Sequence, residues 1–355
     1  MNITYLWTAP SGYLAACIRA LQRIPNVNAS LVTWPPHAEA PFDSAAMDVA
    51  NHHVLSDSGR FDYRFIKHLV LDLNPEVLVV AGWVHAPYLR LFREPLLKKT
   101  RFVIGADTPI RFDVRQLVAR LKIGRLLRRA DAICVPGERG YQVMRYWKVP
   151  GVKIVRLLYG IDYDLFAEGT ESRWDSGEPW PRRFAFAGRY AHIKGVDVLV
   201  EAYRRYRSMV VDAWPLTVCG TGPMADVFRN QAGVENLGFT QPDRLRNVFR
   251  KSAVFVLPSR LDPWGQVIVE AAAAGLPVIC TQTCGASAEL VRDYHNGLIV
   301  PPEDPAALAA AFAWMHEHAD RLPQFARASQ SFAQAYSAQR WAENQYELAL
   351  RLCRR

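Results

Sequence analysis

No run of 18 or more apolar residues free of charge occurs in this chain of 355 residues. A helix needs about that length of apolar sequence to cross a bilayer, so no transmembrane helix is expected. The start, Met1-Asn2-Ile3-Thr4-Tyr5-Leu6-Trp7, lacks the basic residues and small-residue cleavage site of a secretory signal, and reads as a first strand. The six cysteines (Cys17, Cys134, Cys219, Cys280, Cys284, Cys353) are scattered, and Cys280 and Cys284 have no second Cys or His pair at zinc spacing. A reducing, cytoplasmic compartment is expected. No Asp-x-Asp closes a predicted strand, so neither a metal nor another cofactor is expected. Internal repeats and low-complexity tracts are absent.

What the chain does have is apolar sequence, 50% of its residues, and a net charge of +9. The length allows two ordinary domains, each with a sizeable core. The charge favours an anionic partner: nucleic acid, anionic lipid or a phosphorylated substrate. Apolar runs of strand type at 1–7, 76–82, 101–106, 131–135 and 152–158 alternate with helical patterns at 13–23, 63–73, 87–97, 115–129 and 141–147. A polar stretch with prolines and glycines, 164–181, reads as a linker. The alternation then resumes, with strands at 184–187, 216–219, 234–237, 253–257, 277–280 and 297–300, and helices at 196–207, 305–318 and 337–355. Such alternation predicts an α/β chain with parallel, doubly wound sheets. The boundaries expected are 1–165 and 166–336, with 337–355 a final helix.

The most informative stretch runs from Pro258 to Pro277 between two predicted strands. Asp262 reads as a helix N-cap and Pro263 as a first-turn residue. The N–H groups of Gly265, Gln266 and Val267 would then face outward at a helix N-terminus, which attracts phosphate. Gly265 leaves room for close approach, and Glu270 lies one turn further in, on the side of Gln266. An ordinary capped helix explains the same pattern when it is taken alone. A second basic site is Gly188-Arg189, running off a strand, with Lys194-Gly195 opening the next helix. Two cations across a tight loop can reach one pyrophosphate, Arg as a fork and Lys as a point charge. Gly220 and Gly222, in Gly220-Thr221-Gly222-Pro223, mark a turn.

Together these residues resemble the retaining GT-B glycosyltransferases of family 4 type (glycosyl transferases group 1). Asp262 and Glu270 match the acidic-x7-Glu motif, and Arg189 and Lys194 match Gly-Arg-x4-Lys-Gly. The family usually has Glu where Asp262 stands, one methylene longer. Tyr159-Gly160-Ile161-Asp162 resembles the end of its first domain. The resemblance implies two Rossmann-like domains facing a central cleft, with the final helix crossing back onto the first. It implies a nucleotide-diphosphate-sugar donor, a glycan or lipid-linked acceptor, retention of configuration and no metal. The donor would meet Gly188, Arg189, Lys194, Gly220, Gly222, Gly265, Gln266, Val267 and Glu270, with Asp262 orienting the sugar. Asn236-Leu237-Gly238 resembles the segment that meets the base, and Glu289 another frequent acid, read here as a brace. In the first domain, Ser11 and Gly12 occupy the loop expected at the donor phosphates and acceptor. Asp107 stands where many relatives carry His, and His85 is a further candidate, read equally as a satisfied structural histidine.

Arg115, Arg120, Lys122, Arg125, Arg128 and Arg129 share one predicted helix, with aliphatic residues between them. The expectation weighed against a plain solvated face is docking on an anionic bilayer, peripheral to the cytoplasmic membrane. The absence of interleaved aromatics disfavours nucleic acid. Two alternatives stand: a sugar-nucleotide 2-epimerase of the same fold, and a transferase acting on nucleic-acid bases.

Overall fold

The computed structural model describes residues 1–36, 41–43, 47–109, 114–170 and 179–354, without the side chains of 114–117 and 119–122. It divides into two compact units. The first comprises Met1–His37, Phe42–Ile161 and Ala338–Arg355, and the second is essentially Asp162–Ser337.

In the first unit seven strands form one parallel sheet: β1 (Asn2–Leu6), β2 (Asn28–Thr33), β3 (His52–Val54), β4 (Val77–Ala81), β5 (Arg101–Gly105), β6 (Ala132–Val135) and β7 (Ile154–Arg156). Their order is β3-β2-β1-β4-β5-β6-β7. Leu78, Val79 and Val80 are all buried, as expected of a parallel strand covered on both faces. Among the described residues five helices connect the strands: α1 (Gly12–Gln22), α2 (Tyr63–Leu73), α3 (Ala86–Leu91), α4 (Val114–Arg129) and α5 (Glu138–Tyr146). One face packs Ile3, Tyr5 and Val79 against Leu14 and Ile18 of α1 and Trp341 and Leu348 of the closing helix, Ala338–Cys353. The other packs Leu6, Leu78 and Val80 against Ile66, Val70 and Tyr88.

Three local differences from the sequence reading have physical causes. The helix expected over 87–97 stops at Leu91, and a separate 3-10 turn covers Pro95–Leu97. Pro95 has no N–H and its ring would clash with the Leu91 carbonyl in a continuous helix. The helix expected over 141–147 begins at Glu138 and contains Gly140, where a Cβ would lie 2.9 Å from Cβ of Val135, so only glycine lets the helix pack this close to the end of β6. The strands β2 and β3 have no counterpart in the sequence reading.

The second unit is another parallel sheet: β8 (Phe184–Ala187), β9 (Leu216–Cys219), β10 (Val234–Asn236), β11 (Val254–Leu257), β12 (Val278–Thr281) and β13 (Gly297–Val300), in the order β10-β9-β8-β11-β12-β13. Its helices are α6 (Tyr163–Ala167), α7 (Val196–Met209), α8 (Pro242–Arg250), α9 (Gln266–Ala273), α10 (Ser287–Leu290), α11 (Pro305–Glu317) and α12 (Leu322–Ala333). Phe184 of β8 meets Tyr206 of α7 and Phe312 of α11 at ring distances of 5.4 and 4.5 Å. Helices α8 and α12 were not expected; Gln330 of α12 donates to the Ala273 carbonyl at the end of α9. Of the expected linker, 171–178 lie outside the described residues, and α6 occupies its start.

The strand order reverses between β1 and β4 in the first unit and between β8 and β11 in the second. Loops leaving the C-terminal ends of those strands are where doubly wound sheets bind ligands. The six cysteines are free. Among the described residues no helix is long and apolar enough to cross a membrane.

Candidate functional site

The β8 loop, 188–195, and the β11 loop, 258–265, leave the switch point of the second unit side by side. They are tied together at several levels. Arg260 N–H donates to the Ile193 carbonyl (2.9 Å), and its guanidinium donates to the His192 carbonyl (2.7 Å). The same guanidinium forks onto Asp197 in the first turn of α7, at 2.7 and 2.8 Å, and reaches Glu303 at 2.9 Å. Gly195 has φ +67°, and a Cβ on it would lie 2.1 Å from the Pro258 carbonyl oxygen. Only glycine allows the two backbones to pass so closely.

This packing brings Lys194 Nζ to 2.5 Å from Asp262 Oδ2. Asp262 is 6% exposed, and the Lys194 side chain 23%. Asp262 is therefore not the helix N-cap. That position belongs to Gly265 at φ +88°, and α9 begins at Gln266, with Ile268 N–H closing onto the Gly265 carbonyl at 2.8 Å. Residues 262–264 instead run beside 283–286: Asp262 N–H donates to Thr283 O (3.3 Å), Gly285 N–H to Asp262 O (3.0 Å) and Ala286 N–H to Trp264 O (2.7 Å). This pairing consumes the local freedom that a cap would need, and turns the carboxylate toward Lys194. The first-turn donors of the eight-residue helix α9 are those of Gln266 and Val267, at the positive end of its dipole.

Glu270, one turn along α9, retains some accessible surface but is densely surrounded. No described side chain pairs with it, and burial alone pushes its carboxyl up to about 8. Arg189 is exposed on the β8 loop.

Gly220 and Gly222 have a structural reason beyond turning. A Cβ on Gly220 would lie 1.9 Å from the Gly188 carbonyl oxygen, and one on Gly222 2.5 Å from that of Tyr190. Tyr190 N–H donates to Thr221 O (2.7 Å), and Gly220 N–H to Gly238 O (2.7 Å). The Tyr190 hydroxyl donates to Asn236 Oδ1 at 2.9 Å. Thus the ends of β8, β9 and β10 form one backbone-to-backbone floor beside the Lys194 loop. Glu289 accepts from the Tyr336 hydroxyl, which accords with a brace.

In the first unit Ser11 is buried and caps α1 by accepting from Leu14 N–H, and Gly12 opens that helix. Asp107, just past β5, is exposed and accepts from the Tyr159 hydroxyl at 2.9 Å. Tyr159 also touches Tyr13 and Trp7 edge-on, so Asp107 and the β1 loop share one aromatic support. His85 belongs to a different cluster. It is 5% exposed, packed against Trp34, Phe61 and Tyr88, and among the described residues neither ring nitrogen has a hydrogen-bond partner. It is not a satisfied histidine. Burial, and then the Arg60 charge, hold its pKa below the ordinary value.

The sequence reading missed Arg260 and Asp197, although they fix the geometry of the loops. The only local sign was an arginine in the β11 loop without an acid at helical spacing. The pair is 63 residues apart. Among the described residues no group of three or more His, Cys, Asp or Glu could hold a metal ion.

Residues 181–318 match the family model for Glycosyl transferases group 1. A D-rhamnosyltransferase of Pseudomonas aeruginosa is 25% identical over 70% of this chain and 68% of its own length. An uncharacterized glycosyltransferase of Methanocaldococcus jannaschii is 32% identical over 35% of this chain and 33% of its own length. A D-inositol 3-phosphate glycosyltransferase of Corynebacterium urealyticum is 27% identical over 63% and 55%. The chain thus spans 33% to 68% of the length of these curated relatives. Among solved structures, Anabaena HepE in complex with UDP has a TM-score of 0.75 at 15% identity, covering 98% of this chain and 99% of that one. The sucrose-phosphate synthase of Thermosynechococcus elongatus has a TM-score of 0.75 at 18% identity, covering 99% of both chains.

Proposed function

We propose that this chain is a GT-B glycosyltransferase that moves a hexose from a nucleotide-diphosphate-sugar to a glycan or lipid-linked acceptor with retention of configuration and without a metal ion. One observation carries the reading: Lys194, Asp262 and the start of α9 meet at the switch point of the second sheet. A cation, an acid and a helix N-terminus at such a place suit a sugar diphosphate.

Lys194 has three N–H donors, and Asp262 takes one. The others, with Arg189 and the first turn of α9, stabilise negative charge on the departing diphosphate. This is electrostatic preorganisation in the role a divalent cation would otherwise fill. The bond from the anomeric carbon to the phosphate oxygen breaks, and the bond to the acceptor oxygen forms on the same face. The acceptor's proton passes to the phosphate oxygen that leaves, so no side-chain base is required. Glu270 accepts from the ribose hydroxyls, and Asp262 from the sugar. In the first unit Asp107, held by Tyr159, is the exposed acceptor-side carboxylate, and His85 is the further acceptor-side candidate.

Calorimetry of the protein with a panel of nucleoside diphosphates and nucleotide-sugars identifies the donor. NMR of the product, made with acceptor and excess EDTA, then reads the anomeric configuration. An inverted product, or activity that returns only with manganese, would refute the corresponding part of the reading. Interconversion of the donor sugar at C2 without any acceptor would show an epimerase instead.

A further inference from the structure

The first unit carries a groove of about 670 Å³ between α3 and the C-terminal half of α4. Its rim holds Arg90, Arg93, Arg125, Arg128 and Arg129, and its floor includes Phe92, Ile123 and Leu126. Among the described residues no carboxylate lines the groove, and none of the five arginines makes an ion pair. Glu94, the acid next to Arg93 in sequence, accepts from Tyr63 and pairs with Lys67. Five like charges on one rim repel one another, and an anionic occupant relieves that. Guanidinium forks match phosphate.

The floor decides which phosphate. Nucleic acid would need an open aromatic face to stack bases, but Phe92 packs against Phe102 at 4.4 Å. An apolar floor beneath a cationic rim suits a headgroup with hydrocarbon behind it. After α3, Leu96 is 67% exposed, and Lys98 and Lys99 follow it on the surface. An exposed apolar residue between cations is the composition of an interfacial anchor.

We propose that this groove is the site through which the first unit docks on an anionic phospholipid surface, with lipid phosphates on the arginine rim and the first methylenes on the floor. From α4 the groove is lined, among the described residues, by Ile123, Arg125, Leu126, Arg128 and Arg129. The side chains of Arg115, Leu117, Arg120, Leu121 and Lys122 lie outside the described residues, and Leu127 is buried in the core. Helix α3 is six residues long, about 9 Å at the usual rise; the groove runs along it from Ala86, the residue after His85. Docking therefore brings the bilayer surface within one short helix of a proposed acceptor-side residue.

The test is co-sedimentation with vesicles of phosphatidylcholine alone or mixed with phosphatidylglycerol. Binding is expected only with phosphatidylglycerol and weakens as salt rises. Each cation near such a surface contributes about fivefold, or about 1 kcal/mol. The R93E/R125E/R128E variant should therefore partition at least about a hundredfold less. R93Q/R125Q/R128Q, which changes the charge less, should lose a smaller part of the binding. Reversal of three exposed arginines in the second unit, R182E/R229E/R244E, should leave most binding in place. Equal loss in that control would mean that net charge alone acts, and overturn the site. No binding at low salt, displacement by inorganic phosphate at the lipid-phosphate concentration, or a preference for single-stranded RNA over the vesicles would overturn it as well. Nucleoside-diphosphate binding measured on the same variants should be unchanged. Absence of nucleotide binding in the wild type would sink the donor reading and leave the docking result standing.

Discussion

The guanidinium of Arg260 grips both carboxylate oxygens of Asp197, at 2.7 and 2.8 Å, and so ties the β11 loop to the start of α7. The two loops that hold Asp262 and Lys194 are fixed relative to each other by residues that need touch no ligand.

Arg260→Ala should therefore lower nucleotide affinity and melting temperature together. Arg260→Lys should recover only part of either, because an ammonium cannot fork. The pair also sets a pH dependence. The Asp197 carboxyl lies below its ordinary value of 3.8, chiefly through the bond from Arg260. Its contribution is present above that value and lost as pH falls through the lower folded value. Thermal melts of wild type and Arg260→Ala should converge at acid pH; parallel curves would show that the pair is not responsible.

Lys194→Ala and Arg189→Ala should each weaken nucleoside-diphosphate binding and cut transfer by at least about 100-fold, the scale for losing a preorganised charge contact. Turnover at the wild-type rate in either variant would remove that residue from the phosphate site.

Glu270 predicts a proton-linked donor. Its carboxyl is pushed up to about 8 by burial, from an ordinary 4.5. In the free protein this favours folding below 4.5, and the advantage is lost as pH rises through about 8. Ribose hydroxyls donate best to the charged form, so binding near pH 7 should release a proton, and affinity should rise with pH and level off above about 8. Calorimetry in two buffers of different ionisation enthalpy reads the release. Glu270→Gln should abolish it and weaken binding by about 1.5–3 kcal/mol, the range for a hydrogen bond to a charged group.

His85 gives the opposite slope. Its imidazole is held below the ordinary 6.5, first by burial and then by Arg60. Stability from the neutral ring is present above 6.5 and lost as pH falls through the folded value. His52 and His316 are lowered as well, so the measurement is the difference between wild type and His85→Gln. That difference in melting temperature should shrink on acidification from pH 7 to 5. A constant difference would place the ring in contact with solvent.

Gly195→Ala should destabilise by more than about 1 kcal/mol, since it adds a Cβ at positive φ against the Pro258 carbonyl. A melting temperature equal to that of wild type would mean that the two loops can separate at little cost.

Periodicity revealed most strands because a parallel strand buried on both faces is a short apolar run, as in Val254–Leu257. It failed at Asn28–Thr33, where Ser30 and Thr33 are buried among the apolar residues, and at the three-residue edge strand His52–Val54. The two doubly wound sheets, and the Gly188–Lys194 and Pro258–Glu270 stretches as features of strand ends, were legible. What Asp262 does was not. Asp-Pro before a helix reads as a cap, and only the pairing of 262–264 with 283–286 turns its carboxylate elsewhere. The reason for Gly220 and Gly222 was hidden likewise, because a glycine that admits another backbone looks the same as one that makes a turn.

The closing helix, Ala338–Cys353, has a bearing on the order of assembly. Trp341, Ala342, Leu348 and Leu352 are part of the first unit's core, and Trp341 Nε1 donates to the Leu158 carbonyl at 2.9 Å. A ribosome releases these residues only after the whole of Asp162–Ser337. Domains usually complete themselves in the order they are made, yet here the unit begun first must wait with one face of its sheet only partly covered, by α1. The second unit, nearly continuous in sequence, can close before it. In this chain the nascent protein therefore finishes its middle before its beginning, and deleting residues after Ser337 should leave the second unit folded while the first exposes apolar surface to aggregation.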